Sequence, residues 1–301
     1  MDNALVSILI ITFNSSKYIL ETLESAKNQL YENIELIISD DCSTDNTVII
    51  CKSWLENNAG RFVRTKILTV PQNTGICSNL NRGFKECKGL WIKSIAGDDM
   101  LLPNCISDNM EFVESDKRIE ITLSEMVHFN DSYQESNIID RTVYNNRVQS
   151  FLQKGCYEQL QIIVKTNYLP APTIFVKNGL LDKYGLFYEK YFFEDWPMWI
   201  TLIENNIRIY YLKKTTVAYR HHSNSLTANN KYLFNIHHID GRMNIMRDMC
   251  YKYYSKRYIH LEEFEYRIVH FFNNHKMNVA TRVNRILYNS IHKVLSYLKT
   301  I

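Results

Sequence analysis

The stretch Trp91-Ile-Lys-Ser-Ile-Ala-Gly-Asp-Asp-Met-Leu-Leu-Pro103 decides the fold, because an apolar run stops at two adjacent carboxylates and resumes before a proline. The run predicts a buried strand over residues 92–96 of an α/β sheet. Pro103 is tolerated in a first helical turn, so a helix is predicted to begin there. Its buried side is predicted from apolar residues at helical spacing, namely Ile106, Met110 and Val113.

The acidic turn, Asp98 and Asp99, lies directly after the carboxyl end of this predicted strand. Ligands bind at that edge in open, mostly parallel sheets. Two carboxylates in that place suit a hard cation that carries a phosphate group. The alternative interpretation is an ordinary polar turn, because aspartate is common in turns.

Three earlier segments repeat the order of strand, polar turn and helix. Their strands are predicted over residues 5–11, 34–38 and 66–70, and each following helix carries apolar side chains at helical spacing. Four such repeats predict a parallel sheet with right-handed crossovers, whose loops gather at one edge. The turn at Asn14 and the acidic loop 39–45 should therefore lie at the same edge as the acidic turn.

The pattern is weaker after about residue 115. Strands are predicted over residues 120–126, 173–176 and 207–219. A helix is predicted over residues 195–203, where Asp195 suits the N-cap position. From about residue 232 onward the chain is predicted to be helical.

The composition is that of a globular protein, with 46% hydrophobic and 22% charged residues in 301. No segment approaches the roughly 20 apolar residues of a membrane span, and the N-terminus lacks signal-peptide features, so a cytoplasmic location is expected. Seven cysteines are scattered without a Cys-x-x-Cys pair. This favours reduced thiols over a zinc site or a disulfide framework.

Charge is unevenly distributed along the chain. Residues from Lys231 onward contain twelve Lys or Arg against five Asp or Glu, although the net charge of the whole chain is only +3. The last predicted helix carries an apolar stripe, which consists of Val283, Ile286, Leu287, Ile291, Val294 and Leu298. Around it lie the basic residues Arg282, Arg285, Lys293 and Lys299. Such a helix can hold a cytoplasmic protein on an anionic membrane surface, and the alternative is packing on the domain or on a second subunit. No nucleic-acid partner is expected.

Five motifs follow one another along the chain: Ser7-Ile-Leu-Ile-Ile-Thr-Phe-Asn14, Ile37-Ile-Ser-Asp-Asp-Cys-Ser-Thr-Asp45, Asn73-Thr-Gly75, Gly97-Asp-Asp99 with Pro103, and Glu194-Asp195-Trp196. In order and spacing they resemble the family 2 glycosyltransferases of the GT-A fold, which include bacterial O-antigen, capsule and exopolysaccharide enzymes. The resemblance implies an α/β, Rossmann-like domain with a mixed central sheet and a C-terminal helical extension. It implies a nucleotide-sugar-binding half (residues 1–115), an acceptor-binding half (116–230) and a basic extension (231–301).

The resemblance further implies an inverting transfer of a hexosyl or N-acetylhexosaminyl group. The expected donor is a UDP-sugar, and the expected acceptor is a saccharide linked to a lipid. The implied nucleotide-binding residues are Ile11, Phe13, Asn14, Asp40, Asp41, Asn73 and Asp98. Phe13 would stack near the base, Asp41 would accept a hydrogen bond from an imide N–H, and Asp40 would orient the loop. Turn and helix-cap duty is the alternative for both aspartates.

The resemblance also implies a metal and a base. Mn²⁺ or Mg²⁺ would be held by Asp99, Asp98 and His222, with Arg220 as a second cation on the diphosphate. Histidine fits Mn²⁺ better than Mg²⁺, and a structural role is the alternative for His222. Asp195 would take the proton of the acceptor hydroxyl, and Glu194 would position the loop or the acceptor. The alternative is that Asp195 only caps its helix.

The sequence departs from the family pattern at three points, one of which is Ala96, where some relatives have a further aspartate. Cys42 stands where glycine is common, and only glycine takes a positive φ freely. Leu80 stands where many relatives carry an arginine.

Two other functions are alternatives to glycosyl transfer. A sugar nucleotidyltransferase should have a Gly-rich loop after its first strand, but residues 12–16 contain no glycine. A non-catalytic nucleotide- or saccharide-binding partner should lack the metal pair or the base, and both are present.

Overall fold

The computed structural model describes residues 4–140, 146–222 and 232–300. The chain divides into two compact units. The larger is formed by Met1–Glu189 with Glu194–His222, and the smaller by Lys190–Phe193 with Ser223–Ile301. The predicted boundary between residues 115 and 116 would divide the larger unit further, and it stays a prediction.

The first four strands of the larger unit are parallel, as the repeats predicted. They lie in the order β3-β2-β1-β4 and are β1 (Val6–Thr12), β2 (Ile34–Asp40), β3 (Thr65–Leu68) and β4 (Trp91–Ala96). The connecting helices are α1 (Ile19–Lys27), α2 (Thr47–Asn58) and α3 (Ile76–Glu86). Strand β2 is buried at every residue, as expected for a parallel strand that is covered on both faces.

Five further strands make the sheet mixed. They are β5 (Met100–Leu101), β6 (Ile121–Asn130), β7 (Ile138–Asp140), β8 (Phe175–Lys177) and β9 (Tyr210–His221). The nine-stranded sheet has the order β3-β2-β1-β4-β8-β6-β9-β5, with β7 paired to β6. Strand β8 is antiparallel to both β4 and β6, whereas β9 is parallel to β6. The mixed central sheet is therefore confirmed.

Strand β5 corrects the predicted start of the helix after the acidic turn. Met100–Leu101 pair antiparallel with β9, so the helix α4 begins later and spans Cys105–Ser115. Asn104 occupies its N-cap position, and Pro103 lies before the cap instead of in the first turn. A strand of two residues shows no periodicity, which is why the sequence pattern missed it. The predicted buried side is confirmed at Ile106, Met110 and Val113.

Four more helices belong to the larger unit: α5 (Asn146–Leu152), α6 (Cys156–Ile163), α7 (Leu180–Tyr184) and α8 (Asp195–Glu204). Helix α8 begins at Asp195, so the N-cap position falls on Glu194, one residue earlier than predicted. Glu194 makes no side-chain capping hydrogen bond. Trp196 and Trp199 on this helix are buried.

The smaller unit is mainly helical, which confirms the predicted helical C-terminus. Its elements are α9 (Ile236–Ile245), a π-helical segment (Met246–Cys250), a 3-10 turn (Tyr251–Tyr253), α10 (Lys256–Asn274) and α11 (Arg282–Thr300). Ser255 caps α10, because its hydroxyl accepts a hydrogen bond from the Tyr258 N–H at 3.2 Å. Among the helices that the structure describes, none combines the length and the apolar character of a membrane span.

Candidate active site

Hydrogen bonds join the loops after β1 and β2 at the carboxyl edge of the sheet. The Asn14 N–H donates to Ser43 Oγ at 2.8 Å, and Asn14 Oδ1 accepts from the Thr44 N–H at 2.8 Å. Asp40 Oδ1 accepts from the Ser43 N–H at 2.9 Å, a contact that orients the acidic loop. Phe13 is 47% exposed at this edge, so its ring is accessible to a ligand.

Cys42 adopts the backbone conformation for which glycine is favoured. Its φ is +68°, in the left-handed region. A side chain there costs about 1–2 kcal/mol, because Cβ crowds the following carbonyl group. The acidic loop therefore has the turn conformation that is typical of glycine at this position, and Cys42 bears the backbone strain.

Asp41 is buried, and its carboxylate points to the loop of the third motif. Oδ2 accepts from the N–H groups of Thr74 and Gly75 at 2.9 and 2.7 Å, and Oδ1 accepts from Thr74 Oγ1 and from Arg82 Nη2. Asn73 Nδ2 donates to the Asp41 carbonyl oxygen at 3.2 Å. Burial acts to raise the pKa of Asp41, but hydrogen bonds from Thr74, Arg82 and Gly75 outweigh it and lower the pKa. These four donors occupy the roughly four lone-pair positions of the Asp41 carboxylate. The predicted hydrogen bond from the imide N–H of a base can therefore form only if one of these donors moves away.

Arg82 is a cation of this edge that the sequence analysis missed. Its Nη2 lies 3.0 Å from Asp41 Oδ1 and also donates to Asn79 Oδ1 at 2.8 Å. It lies on α3, two residues after Leu80, where the family pattern had suggested an arginine. A search along the whole helix, instead of at one position, would have found this residue.

The end of β9 holds the acidic turn. The Arg220 N–H donates to Asp99 Oδ1 at 2.9 Å, and Arg220 Nε donates to the Asp98 carbonyl oxygen at 2.6 Å. His222 Nε2 lies 3.0 Å from Asp98 Oδ2. Burial and the nearby charge of Asp98 raise the pKa of Asp99 well above its ordinary value. The structure thus brings His222 to the acidic turn, as the predicted metal site requires.

The Arg220 guanidinium is buried within the protein. Its side chain has no solvent exposure, and it forms an ion pair with Glu21 at 3.0 Å. The guanidinium is enclosed between the rings of Tyr18 and Phe129, at 4.5 and 4.6 Å from their centroids. Arg220 thus holds the acidic turn, and its contact with a diphosphate stays a prediction.

Asp98, Asp99 and His222 offer donors that fit Mn²⁺ or Mg²⁺. Carboxylate oxygens suit both ions, and the imidazole nitrogen favours Mn²⁺. The Asp98 side chain is 32% exposed and so accessible to a ligand, while a cation would lower the raised pKa of the buried Asp99. Within residues 4–140, 146–222 and 232–300, no three His, Cys, Asp or Glu side chains form a complete metal-binding group. Oxygens of a bound phosphate and of water would have to complete the coordination.

Asp195 is oriented by two hydrogen bonds. Asn167 Nδ2 donates to its Oδ2 at 2.7 Å, and the Trp196 N–H donates to its Oδ1 at 2.7 Å. Burial raises the pKa of Asp195 above its ordinary value, although these hydrogen bonds oppose the shift. Asn167 was not predicted, because it lies in a region without a clear pattern and far from Asp195 in sequence.

One cavity brings the two acidic regions of the larger unit together. It has a volume of about 100 Å³, and Asp99, Glu194 and Asp195 all line it. Much of the remaining lining is apolar and includes Ile11 and Trp199. The acidic turn and the start of α8 therefore line the same cavity.

Buried Lys93 holds one wall of this cavity. Its Nζ donates to the carbonyl oxygens of Pro172 and Ile174, two residues of the lining, and to that of Ser94. Burial lowers the pKa of Lys93 to about 8. These three carbonyl groups accept hydrogen bonds from the buried ammonium group. Lys93 therefore connects β4 to the segment that precedes β8.

The sequence profile of the family described as Glycosyl transferase family 2 matches residues 7–166, more than half of the chain. The chain belongs to glycosyl transferase family 2. The match confirms the family resemblance of the first four motifs. It ends before Glu194 and Asp195, whose roles remain predictions.

Several named glycosyltransferases are similar to this family 2 enzyme. The Escherichia coli UDP-Glc:alpha-D-GlcNAc-diphosphoundecaprenol beta-1,3-glucosyltransferase WfaP is 26% identical over 227 residues, which are 75% of this chain and 80% of WfaP. The E. coli chondroitin synthase is 39% identical over 103 residues, but these are 34% of this chain and only 14% of the synthase.

Solved structures show that the fold is GT-A-like. Staphylococcus aureus TarS residues 1–349 in complex with UDP-GlcNAc has a TM-score of 0.58 at 22% identity, and the match covers 75% of this chain and 62% of TarS 1–349. The mannosyltransferase PcManGT from Pyrobaculum calidifontis, in complex with GDP-Man and Mn²⁺, has a TM-score of 0.57 at 16% identity and covers 81% of this chain. The matched region spans 64% of PcManGT. Both neighbours are thus longer than the part that they share with this chain.

Glu194→Gln is expected to raise the melting temperature by about 5 °C at pH 8.5 and to leave it nearly unchanged at pH 5. Burial and the charge of Asp195 raise the pKa of Glu194 to about 8. Between the ordinary carboxyl pKa and this value, the folded state keeps a proton that the unfolded state has lost, so stability falls as the pH rises. Glutamine keeps the shape and cannot ionise. Calorimetric scans at both pH values test this, with exposed Glu56→Gln as control. Equal shifts at the two pH values would contradict the raised pKa.

Proposed function

We propose that this glycosyltransferase moves a sugar from a UDP-sugar to a hydroxyl group of a lipid-linked saccharide. The observation that carries the proposal is the cavity lined by both Asp99 and Asp195, because it unites a phosphate-side carboxylate with a candidate base. UDP is supported by the name of WfaP and by the TarS complex with UDP-GlcNAc. The lipid-linked acceptor is supported by WfaP, whose name specifies a diphosphoundecaprenol-linked GlcNAc.

The nucleotide is proposed to lie along the loops after β1 and β2. Phe13 offers an exposed ring on which a base can stack. Asn14 and Asn73 hold the loops that surround it, and Ile11 lines the cavity that follows. Asp41 acts through the Thr74–Gly75 backbone, to which it is bonded.

Asp98, Asp99 and His222 are proposed to hold Mn²⁺ or Mg²⁺. When bound, the ion would stabilise the negative charge that develops on the departing diphosphate. The His222 ring lies 4.8 Å from the Tyr18 ring between centroids, and this contact restricts the orientation of the imidazole. Arg220 contributes by holding the turn that carries both aspartates.

Asp195 is proposed as the general base. As the acceptor oxygen attacks the anomeric carbon, its proton passes to Asp195, while the bond from that carbon to the UDP oxygen breaks. A raised pKa makes the carboxylate a stronger base, and Asn167 keeps it in one orientation. Glu194, with a pKa of about 8, is protonated at neutral pH and can donate a hydrogen bond to an acceptor oxygen. Attack from the side opposite the leaving group inverts the anomeric centre.

Calorimetric titration of the purified protein with UDP, GDP and dTDP tests the donor side. We expect UDP to bind in the micromolar range with Mn²⁺, and at least about tenfold more weakly in EDTA, because the diphosphate loses its counter-charge. GDP and dTDP should bind more weakly than UDP under both conditions. Equal binding of all three nucleotides, or binding that EDTA does not change, would contradict the proposal.

A further inference from the structure

Helix α11 packs through a side that combines polar and charged groups with buried Leu295 and the ring of Tyr288. Tyr288 Oη donates to Glu265 Oε1 at 3.0 Å, and His292 Nδ1 bonds to the same oxygen. Lys299 Nζ lies 2.9 Å from Glu262 Oε1 and also pairs with Glu265. Glu262 and Glu265 belong to α10 and are buried, so these charged contacts form the seam between the two helices.

The opposite side of α11 is apolar and exposed. Five large hydrophobic side chains on it are 42% to 72% exposed, namely Val283, Ile286, Leu287, Val294 and Tyr297. At 3.6 residues per turn, these positions fall within an arc of about 100° that points away from the seam with α10. We call this arc the α11 apolar face. The described residues of the smaller unit leave this face largely uncovered, and the alternatives for the stripe stay predictions.

Cations border the α11 apolar face. Arg282 and Lys293 lie along one edge of it and are exposed, and α11 contains no acidic residue. Within the described part of the smaller unit, Asp248, Glu262, Glu263 and Glu265 form ion pairs with lysine or arginine, and Asp240 is hydrogen-bonded to Tyr266 and His270. The charge left uncompensated beside the face is therefore positive.

We propose that the α11 apolar face binds the surface of an anionic phospholipid bilayer. The 19-residue helix is about 28 Å long and would lie in the plane of the interface, with its apolar arc at the acyl boundary and its cations among the headgroups. A second copy of the chain is a poorer match, because two such faces in contact would bring like charges together. The inference goes beyond the transfer reaction, since it requires neither donor nor acceptor.

Vesicle co-sedimentation of the full chain tests the proposal. We expect binding to vesicles of phosphatidylcholine with 30% phosphatidylglycerol and little binding to phosphatidylcholine alone. Binding should weaken when the salt concentration rises from 0.1 to 0.5 M, because salt screens the attraction to the headgroups.

Two variants separate the apolar and charged contributions. Ile286→Ser with Val294→Ser should weaken binding about tenfold, because two inserted side chains are lost. Arg282→Gln with Lys293→Gln should weaken it about 25-fold, at about fivefold per cation. The matched controls change exposed residues of the larger unit and should bind like the original chain. They are Ile49→Ser with Val63→Ser, and Lys52→Gln with Lys117→Gln.

Two results would overturn the proposal. One is that anionic vesicles bind neither the original chain nor any variant, or that they bind both α11 variants as well as the original chain. The other is a dimer in sedimentation velocity that Ile286→Ser with Val294→Ser dissociates, which would make the face an interface between copies. UDP affinity, measured without vesicles, should be the same in all variants, so failure of this proposal is distinguishable from failure of the proposed donor.

Discussion

Asp195→Asn is expected to lower kcat by about a thousandfold, within the range that general-base catalysis contributes. Asparagine keeps the size of the side chain and can still contact Asn167, but it cannot accept the proton of the acceptor hydroxyl. Since Asp195 acts on the acceptor, UDP affinity should stay within about twofold of the original value. The measurement is initial-rate kinetics of UDP release with a GlcNAc-diphosphate-lipid acceptor, beside a UDP titration.

The pH profile adds a second test of this role. Because burial raises the pKa of Asp195, kcat/KM of the original enzyme should fall as the pH drops through that raised value, where the base becomes protonated. Exposed Asp182→Asn, on α7, is the matched control and should leave both kcat and the profile unchanged. An Asp195→Asn enzyme within a few-fold of the original kcat would remove Asp195 from the mechanism.

Asp98→Asn is expected to lower the Mn²⁺-dependent affinity for UDP by about tenfold, to the level expected in EDTA, because the site loses a charged metal ligand. In EDTA the same substitution should leave the affinity unchanged or raise it, because it removes a negative charge that repels the diphosphate. This reversal separates a metal ligand from a residue that only shapes the turn. Asparagine can preserve the contact with His222, now 3.0 Å long, so the fold of the turn should survive.

Calorimetric titrations with Mn²⁺ and with EDTA measure both affinities. Asp116→Asn, which breaks an ion pair with Arg118 far along the chain from the site residues, serves as control. If Asp98→Asn weakens UDP binding equally in Mn²⁺ and in EDTA, Asp98 contacts the nucleotide directly and does not hold a metal.

The parallel half of the sheet was predictable from the sequence because the pattern that specifies each strand lies within a short segment. Each strand from β1 to β4 is a short apolar run that ends at a polar turn, and the right-handed crossover rule then leaves few arrangements. The positions of Asn14, Asp40 and the acidic turn at one sheet edge follow from that order alone. Family membership confirmed this part, and the profile covers the same region.

Contacts between distant segments were not predictable from such patterns. Strand β5 has two residues, and only its pairing with β9 brings His222 to Asp98 and buries Arg220. Asn167 meets Asp195 across a stretch without periodicity, and Arg82 reaches Asp41 from a neighbouring helix. A side chain's partner in these cases depends on sheet order and not on its own sequence neighbours.

The last helix, α11, also has one property that is local in sequence and another that depends on contacts between distant segments. The basic, amphipathic character of α11 can be predicted from its residues alone, because the spacing of Val283, Ile286 and Val294 is a local property. Which side of the helix packs depends on its contacts with α10. Glu262 and Glu265 on α10 are buried beside Lys299, so the polar side of α11 supplies the charges that these carboxylates need, and the apolar side is left outside. A buried carboxylate without a cation costs more free energy than an exposed apolar side chain, which is the physical reason for this choice.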